Sequence, residues 1–340
     1  MSLALETRPA RRVLVPASVG HTPPPLGARV HEFSGRTMGT TWNVRIVAGA
    51  QLQREPATMR AIQGALDEVV AQMSTWDTGS SLCRFNRAAA GTWQPLPDAF
   101  FEVLACAREV AERSDGAFDP TAGALVDAWG FGPVARGAMP DEASLARARG
   151  VAGWRRLDLD PAHRSALQPG RLALDLSAIA KGFGVDLVAR RLAALGFESH
   201  LVEVGGELRG SGVKPDGQPW WVRLEHPHAG EGADQPLLAL HGLSVATSGD
   251  YRRWFEHAGT RYSHTIDPRD GLPIRHGLAS VTVIHAQCML ADAWSTALNV
   301  LGPEAGPALA NRLGLAARFL VRQDARFEER TSAAFDDLLR

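Results

Sequence analysis

Apolar and polar positions along this chain follow two periods. Thr41–Val47 (T-W-N-V-R-I-V) alternates and predicts a half-buried strand. Pro56 opens a helix on which Met59, Ile62, Leu66, Val69, Val70 and Met73 share one stripe. A second helix follows Pro97, carries Phe100, Phe101, Leu104 and Val110, and stops at Gly116. A short helix starts at Pro140-Asp141. Further on, 157–159 and 171–176 read as strands, and Ser177 reads as the N-cap of a helix ending near Leu195 and closed by Gly196. Strands follow at about 200–210, 219–225, 239–246 and 278–285, then helices near 288–301 and 303–313 and a strand at 317–322. Helices and strands mix without steady β-α-β-α alternation, which favours an α+β fold over a doubly wound sheet. Residues 1–30 read as a loose leader, with H-T-P-P-P-L-G as a stiff spacer, and folded pattern begins near His31.

Composition narrows the possibilities. The length of 340 residues allows one large domain or two modest ones. Lys+Arg is 36 against 37 Asp+Glu, a formal charge of -1, so bulk binding to nucleic acid or an anionic membrane is not expected. No uncharged apolar run approaches the roughly 18–20 residues of a membrane span. Cys83, Cys106 and Cys288 are odd in number and widely spaced, which argues against a zinc site or a disulfide framework. The first residues lack a secretory pattern and a lipid-anchor cysteine. As written the chain is expected in the cytoplasm, or in the periplasm if its start is incomplete. Only Lys181 and Lys214 are lysine; every other basic residue is arginine.

The usual nucleotide loops, G-x-G-x-x-G and G-x-x-x-x-G-K-[ST], do not occur, nor do H-E-x-x-H or G-x-S-x-G. Four polar, small-residue segments carry chemistry instead. Gly116–Pro133 has glycines that admit a flat ligand, with Phe118, Trp129 and Phe131 able to line a pocket; a surface turn over packed aromatics fits equally well. Leu174–Asp186 joins a strand end to a helix start, an anion-friendly place to which Lys181 adds a cation, while Asp175 is either a ligand acceptor or a turn carboxylate. Val245–Pro273 holds both tyrosines and His264 beside Asp267; a loop histidine near carboxylates suits a general base, although this is one of 11 histidines. In Cys288–Gly302, Asp292, Ser295 and Thr296 share a helix face. Their oxygens suit a hard cation such as Mg²⁺, and a capping Asp with back-bonded hydroxyls is the simpler reading of the spacing alone.

Eight segments in order resemble the FAD:protein FMN transferase (ApbE) family: Gly35–Trp42, Met73–Asp77 with Ser80–Asn86, Gly116–Pro120, Leu174–Gly182, Val202–Leu208, Ala246–Tyr251, Tyr262–Pro268 and Ala291–Ala297. The resemblance implies an α+β, T-fold-like single domain of two lobes over 31–330, with FAD and a metal site between the lobes. It implies Mg²⁺-dependent transfer of FMN from FAD to a Thr or Ser hydroxyl of a target flavoprotein bearing a D-x-x-[ST]-G-A-T-like motif, with release of AMP. A flavin pyrophosphatase yielding FMN and AMP, or a non-catalytic flavin carrier, are the other readings. By position, Met38, Trp76, Ala117, Phe118, Asp119, Asp175, Lys181 and Ile266 match FAD contacts. The Ala178 backbone oxygen with Asp292, Ser295 and Thr296 matches the metal site, and His264 matches the base. Trp76 stands where the family commonly has Tyr, near the adenine end.

Overall fold

The computed structural model describes residues 12–16, 18, 23–24, 26–49, 52, 55–133, 139–227, 235–250, 254–257, 259–323 and 326–339. In chain order, β1 (Val13–Leu14) leads to the hairpin β2 (Arg29–Thr37) and β3 (Thr40–Ala48). Next come α1 (Glu55–Met73), α2 (Ser81–Arg87), β4 (Thr92–Pro95), α3 (Asp98–Arg113), α4 (Gly123–Ala128) and α5 (Glu142–Val151). Two short strands, β5 (Leu159–Asp160) and β6 (Ser165–Gln168), precede α6 (Ala180–Ala194). Then follow β7 (His200–Val204), β8 (Glu207–Ser211), β9 (Trp220–Arg223), β10 (Leu237–Leu240) and β11 (Leu243–Gly249). The hairpins β12 (Trp254–His257) with β13 (Thr260–Ser263), and β14 (Ile266–Asp267) with β15 (Leu272–Pro273), precede β16 (Leu278–His285). The chain closes with α7 (Cys288–Leu313), two helical segments joined by a kink at Gly302 (φ 80°) as the expected helices 288–301 and 303–313 require, then β17 (Ala316–Gln323), β18 (Arg326–Thr331) and α8 (Ala333–Asp336).

The central sheet has eight strands in the order β18-β17-β16-β11-β8-β7-β3-β2, and every neighbouring pair is antiparallel. Helices α1, α6 and α7 pack against it, burying Ile62, Leu66, Val185 and Val188 among strand residues such as Val44 and Val202. Seven of the eight β16 residues are buried, because β16 is a central strand and its neighbours leave no polar face to water. A separate small core of Leu125, Trp129, Leu145, Ala148 and Ile266 forms around α4, α5 and β14. The architecture is the expected α+β one. Among the described residues no helix is long and apolar enough to cross a membrane.

The expected strands 200–210 and 239–246 each prove to be two, β7 with β8 and β10 with β11, and four further boundaries differ for local reasons. The leader is not wholly loose: β1 pairs in parallel with β10, Val15 N–H donates to the Leu338 carbonyl at 2.8 Å, and Leu14 is fully buried. The folded unit also runs past 330, since Phe335 on α8 is fully buried in the same cluster as Leu14. Much of the Pro-rich spacer lies outside the described residues, as does Tyr251.

Arg171 is left-handed, with φ of 58°, and 172–176 joins no ladder; on one edge it bridges Ala173 to Ala122, with Gly123 N–H donating to the Ala173 carbonyl at 3.0 Å and Asp175 N–H to the Pro120 carbonyl at 2.9 Å. Side chains take the ladder's place. Gln168 accepts from Leu172 N–H and donates to the Leu172 carbonyl, at 2.9 and 3.0 Å. Asn86 does the same for Leu174, at 2.8 and 3.1 Å. With these side chains on one edge and the backbone of 120–123 on the other, the segment is satisfied without a ladder. Ser177, finally, is not the cap of α6. The helix starts three residues later, after an Asx turn in which Asp175 Oδ1 accepts Ser177 N–H at 2.8 Å.

Candidate active site

Helices α6 and α7 meet at a glycine. A Cβ on Gly182 would stand 2.4 Å from the Cys288 carbonyl oxygen and 2.8 Å from the Asp292 Cβ, so only hydrogen fits. The close approach lets Gly182 N–H donate to Asp292 Oδ2 at 3.0 Å. In a regular helix that N–H would go to the carbonyl four residues back, on Ala178. One hydrogen bond thus anchors the Asp292 carboxylate and spares the Ala178 oxygen this partner. Asp292 supplies from a neighbouring helix the capping contact expected of Ser177. Gly182→Ala is expected to cost roughly 1–3 kcal/mol of stability, as overpacking against backbone does. Thermal unfolding would register this loss; an unchanged Tm would refute the steric argument.

Lys181 joins this group from the same turn. Its ammonium lies 2.8 Å from Glu207 Oε1 and 3.7 Å from Asp292 Oδ2. Glu207 is 2% exposed and Asp292 4%. Glu207 opens β8 directly after Gly205 and Gly206, both of positive φ, which turn β7 back into β8. The hydroxyls of α7 form a chain with β11. Ser295 Oγ donates to the Asp292 carbonyl at 2.8 Å. Ser248 Oγ lies 2.8 Å from Ser295 Oγ and 3.0 Å from Thr296 Oγ1. A hydroxyl has one proton to give. Ser295 spends its proton on the carbonyl, so Ser248 donates to Ser295 and Thr296 donates to Ser248. The lone pairs of Thr296 Oγ1 are then left as acceptors.

Two cavities open beside this cluster. The first, about 300 Å³, is lined by Ala117, Phe118, Asp119, Asp175, Ala178, His264, Ile266, Asp292 and Thr296, with Glu207 and Ser248. The second, about 910 Å³, is lined by Met38, Met73, Ser74, Trp76 and Asp77. Ser177 and Lys181 line both. Every site residue expected from the sequence except Ser295 therefore borders one of the two. Ser295 is fully buried behind the wall and reaches the cavity only through Ser248 and Asp292.

The walls are built locally. Met38 and Gly39 form the β2–β3 turn with φ of 48° and 73°. A left-handed methionine is strained by roughly 1–2 kcal/mol, and the turn sends its side chain to α6, where a Cβ on Gly184 would lie 3.4 Å from Met38 Cε. Trp76, 62% exposed, stands at the rim of the larger cavity, its N–H donating to Ser74 Oγ at 3.1 Å. Asp119 borders the smaller cavity with its carboxylate already committed. Oδ1 accepts the Thr121 N–H and O–H at 2.7 Å, and Oδ2 accepts Trp154 N–H at 3.0 Å. Burial nonetheless pushes its pKa upward, against those hydrogen bonds.

His264 lies between β13 and β14, where an aromatic ladder supports it. Trp129 and Tyr262 stack at 5.8 Å, Tyr262 and Phe255 at 5.2 Å, and the Phe131 ring lies 6.3 Å from His264 at 73°. Trp129 Nε1 in turn donates to the Gly271 carbonyl at 2.8 Å. Phe118, Trp129 and Phe131 thus divide the roles expected of them: Phe118 lines the cavity, and the other two brace the strand that carries the histidine.

Sequence reasoning assigned no role to Glu207, Ser248 or Asn86, although each lies in a segment already marked. Nor did it single out Gln168, which lies outside those segments. Among the described residues no group of three or more His, Cys, Asp or Glu could hold a metal. Any cation here would rest on one carboxylate, hydroxyls, a carbonyl and the substrate itself.

Comparisons with known proteins converge. The model of the ApbE family matches residues 38–319. The FAD:protein FMN transferase of Vibrio cholerae serotype O1 is 38% identical over 312 residues, covering 92% of this chain and 93% of that protein. That of Escherichia coli K12 is 34% identical over 330 residues, covering 94% of each. The apo crystal structure of Pseudomonas stutzeri flavinyl transferase ApbE superposes with a TM-score of 0.85 at 43% identity, over 92% of this chain and 97% of that one. Matched along nearly its whole folded length in sequence and in structure, the chain belongs to the ApbE family.

Proposed function

We propose that this chain is a FAD:protein FMN transferase that moves FMN from FAD to a threonine or serine hydroxyl of a target flavoprotein and releases AMP. One observation carries the reading. Two cavities of unlike size meet at Lys181, and the smaller is lined by both Asp292 and His264. A dinucleotide laid across that junction puts its pyrophosphate beside the half-buried ammonium of Lys181. The flavin half then lies against Ala117, Phe118 and Ile266, and the adenine half towards Met38 and Trp76. Asp175 and Asp119 shape the loops around the flavin half.

The residues present fit Mg²⁺. The Asp292 carboxylate, the Ala178 oxygen spared by Gly182, and the lone pairs of Thr296 are hard oxygen donors. One carboxylate plus substrate phosphate is a usual way of holding this ion. Ser295 acts one step back, by setting the proton order of the hydroxyl chain. Mg²⁺ bound there would neutralise charge on the phosphoryl oxygens and the departing AMP. His264 takes the proton from the target hydroxyl as its oxygen forms the new P–O bond. The bond to the AMP phosphate breaks, and AMP leaves with the electron pair. Lys181 offsets part of the negative charge throughout.

The acceptor is expected to be an extended segment with a D-x-x-[ST]-G-A-T-like motif. The test incubates the purified protein with FAD, Mg²⁺ and such a target. Flavin fluorescence that stays with the denatured target supports the transferase. Free FMN without labelling points to a pyrophosphatase, and unchanged FAD to a carrier.

A further inference from the structure

Two carboxylates and one ammonium share the wall of the smaller cavity. The ammonium of Lys181 is not centred between them: it is 2.8 Å from Glu207 Oε1 but 3.7 Å from Asp292 Oδ2. Glu207 is held from a different element, at the start of β8, and it is almost wholly buried. Buried charges of like sign repel strongly, and an ammonium and a metal ion compete for the same carboxylate. Lys181 and a cation on Asp292 can therefore coexist only if something else holds the lysine.

We infer that Glu207 is a positioning residue that draws the Lys181 ammonium away from Asp292 and keeps that carboxylate available to a divalent cation. The inference rests on the proposed Mg²⁺-dependent transfer and adds a residue to it. Glu207 touches neither reacting atom. It acts through Lys181, and it balances the lysine's charge when a cation occupies the neighbouring carboxylate. Counting Glu207, Lys181 and Asp292 alone, the cluster carries a net single negative charge, so a bound divalent cation turns it positive, the sign needed to receive a pyrophosphate. Removing Glu207's charge leaves the Asp292 carboxylate, 3.7 Å away, as the stronger electrostatic pull of the two, and the lysine then moves towards the cation's place.

The experiment measures Mn²⁺ binding to the FAD-free protein by electron paramagnetic resonance, alongside the KM for FAD and kcat. Glu207→Gln keeps the shape and removes the charge. It is expected to weaken Mn²⁺ binding by roughly 10–100-fold, the usual range for residues that orient a metal ligand. Lys181→Met in the same chain, giving the double variant, is expected to restore most of that affinity while KM for FAD stays raised. Removing Lys181 would also relieve an uncompensated charge, so each variant is melted as well, and Mn²⁺ affinity that falls and recovers only in step with Tm overturns the role of Glu207. Equal Mn²⁺ affinity in wild type and Glu207→Gln, or no recovery in the double variant, overturns the role of Glu207. Absence of Mn²⁺ binding by the wild-type protein overturns the metal reading and this inference with it.

Discussion

Asp292→Ala is expected to abolish transfer and, with it, the dependence of any residual rate on Mg²⁺. Three consequences follow from one deletion. The single carboxylate among the proposed metal donors disappears. Gly182 N–H loses its acceptor at 3.0 Å, and an orphaned buried donor costs roughly 1–3 kcal/mol. Lys181 keeps Glu207 as its partner and remains in the wall. The folded protein should therefore persist with a lower Tm but bind no divalent cation. Asp292→Asn separates the effects. Its amide oxygen still accepts from Gly182, so stability recovers, while affinity for the cation does not. A titration of activity against Mg²⁺ and a parallel melt read the two quantities independently. An Asp292→Ala protein with an ordinary Mg²⁺ titration would sink the assignment.

His264→Ala should behave differently. Base catalysis of this kind contributes typically ~10²–10⁴ in rate, and loss of the imidazole removes it. FAD binding should survive, because the ring is one of many residues lining the smaller cavity and the larger cavity is untouched. Single-turnover transfer measured with saturating FAD isolates the chemical step. The expected result is unchanged retention of FAD with transfer reduced by two to four orders of magnitude, as the same figure implies. Phe131, edge-on to the imidazole, loses a neighbour, but the stacked ladder of Trp129, Tyr262 and Phe255 remains to hold the strand. Full transfer by the variant would remove His264 from the role of base.

Much of this was readable before any coordinates, because the chemistry lies in contiguous segments. Asp292 and Thr296 are four residues apart on one helix, and His264 follows a strand in a run of polar residues. Such local spacing survives folding unchanged. The α1 stripe was likewise legible, though Met59 turns out to be exposed while Thr58 and Ala65 are buried. What could not be read was reciprocal pairing over long separations. Asn86 recognises Leu174 across 88 residues, and an extended apolar stretch looks like a strand until one knows that side chains satisfy its backbone. Ser177 resembles an N-cap by residue type, yet the contact comes from Asp292, 110 residues beyond Gly182. Lys181 stood out as one of two lysines, whereas Glu207 looked like any strand glutamate, since only the β7–β8 turn brings it beside α6.

The junction of the two cavities at Ser177 and Lys181 has a kinetic consequence. On the proposed placement, FAD laid across it would be a bivalent ligand, each half holding the other at high effective concentration over its own cavity. Cleavage at the junction ends that mutual tethering. AMP would then keep only the contacts of the larger cavity, and the flavin half only those of the smaller one and of the protein it now belongs to. Each product is bound more weakly than the substrate by the lost avidity. On the proposed placement, release would follow from the position of the bond that breaks.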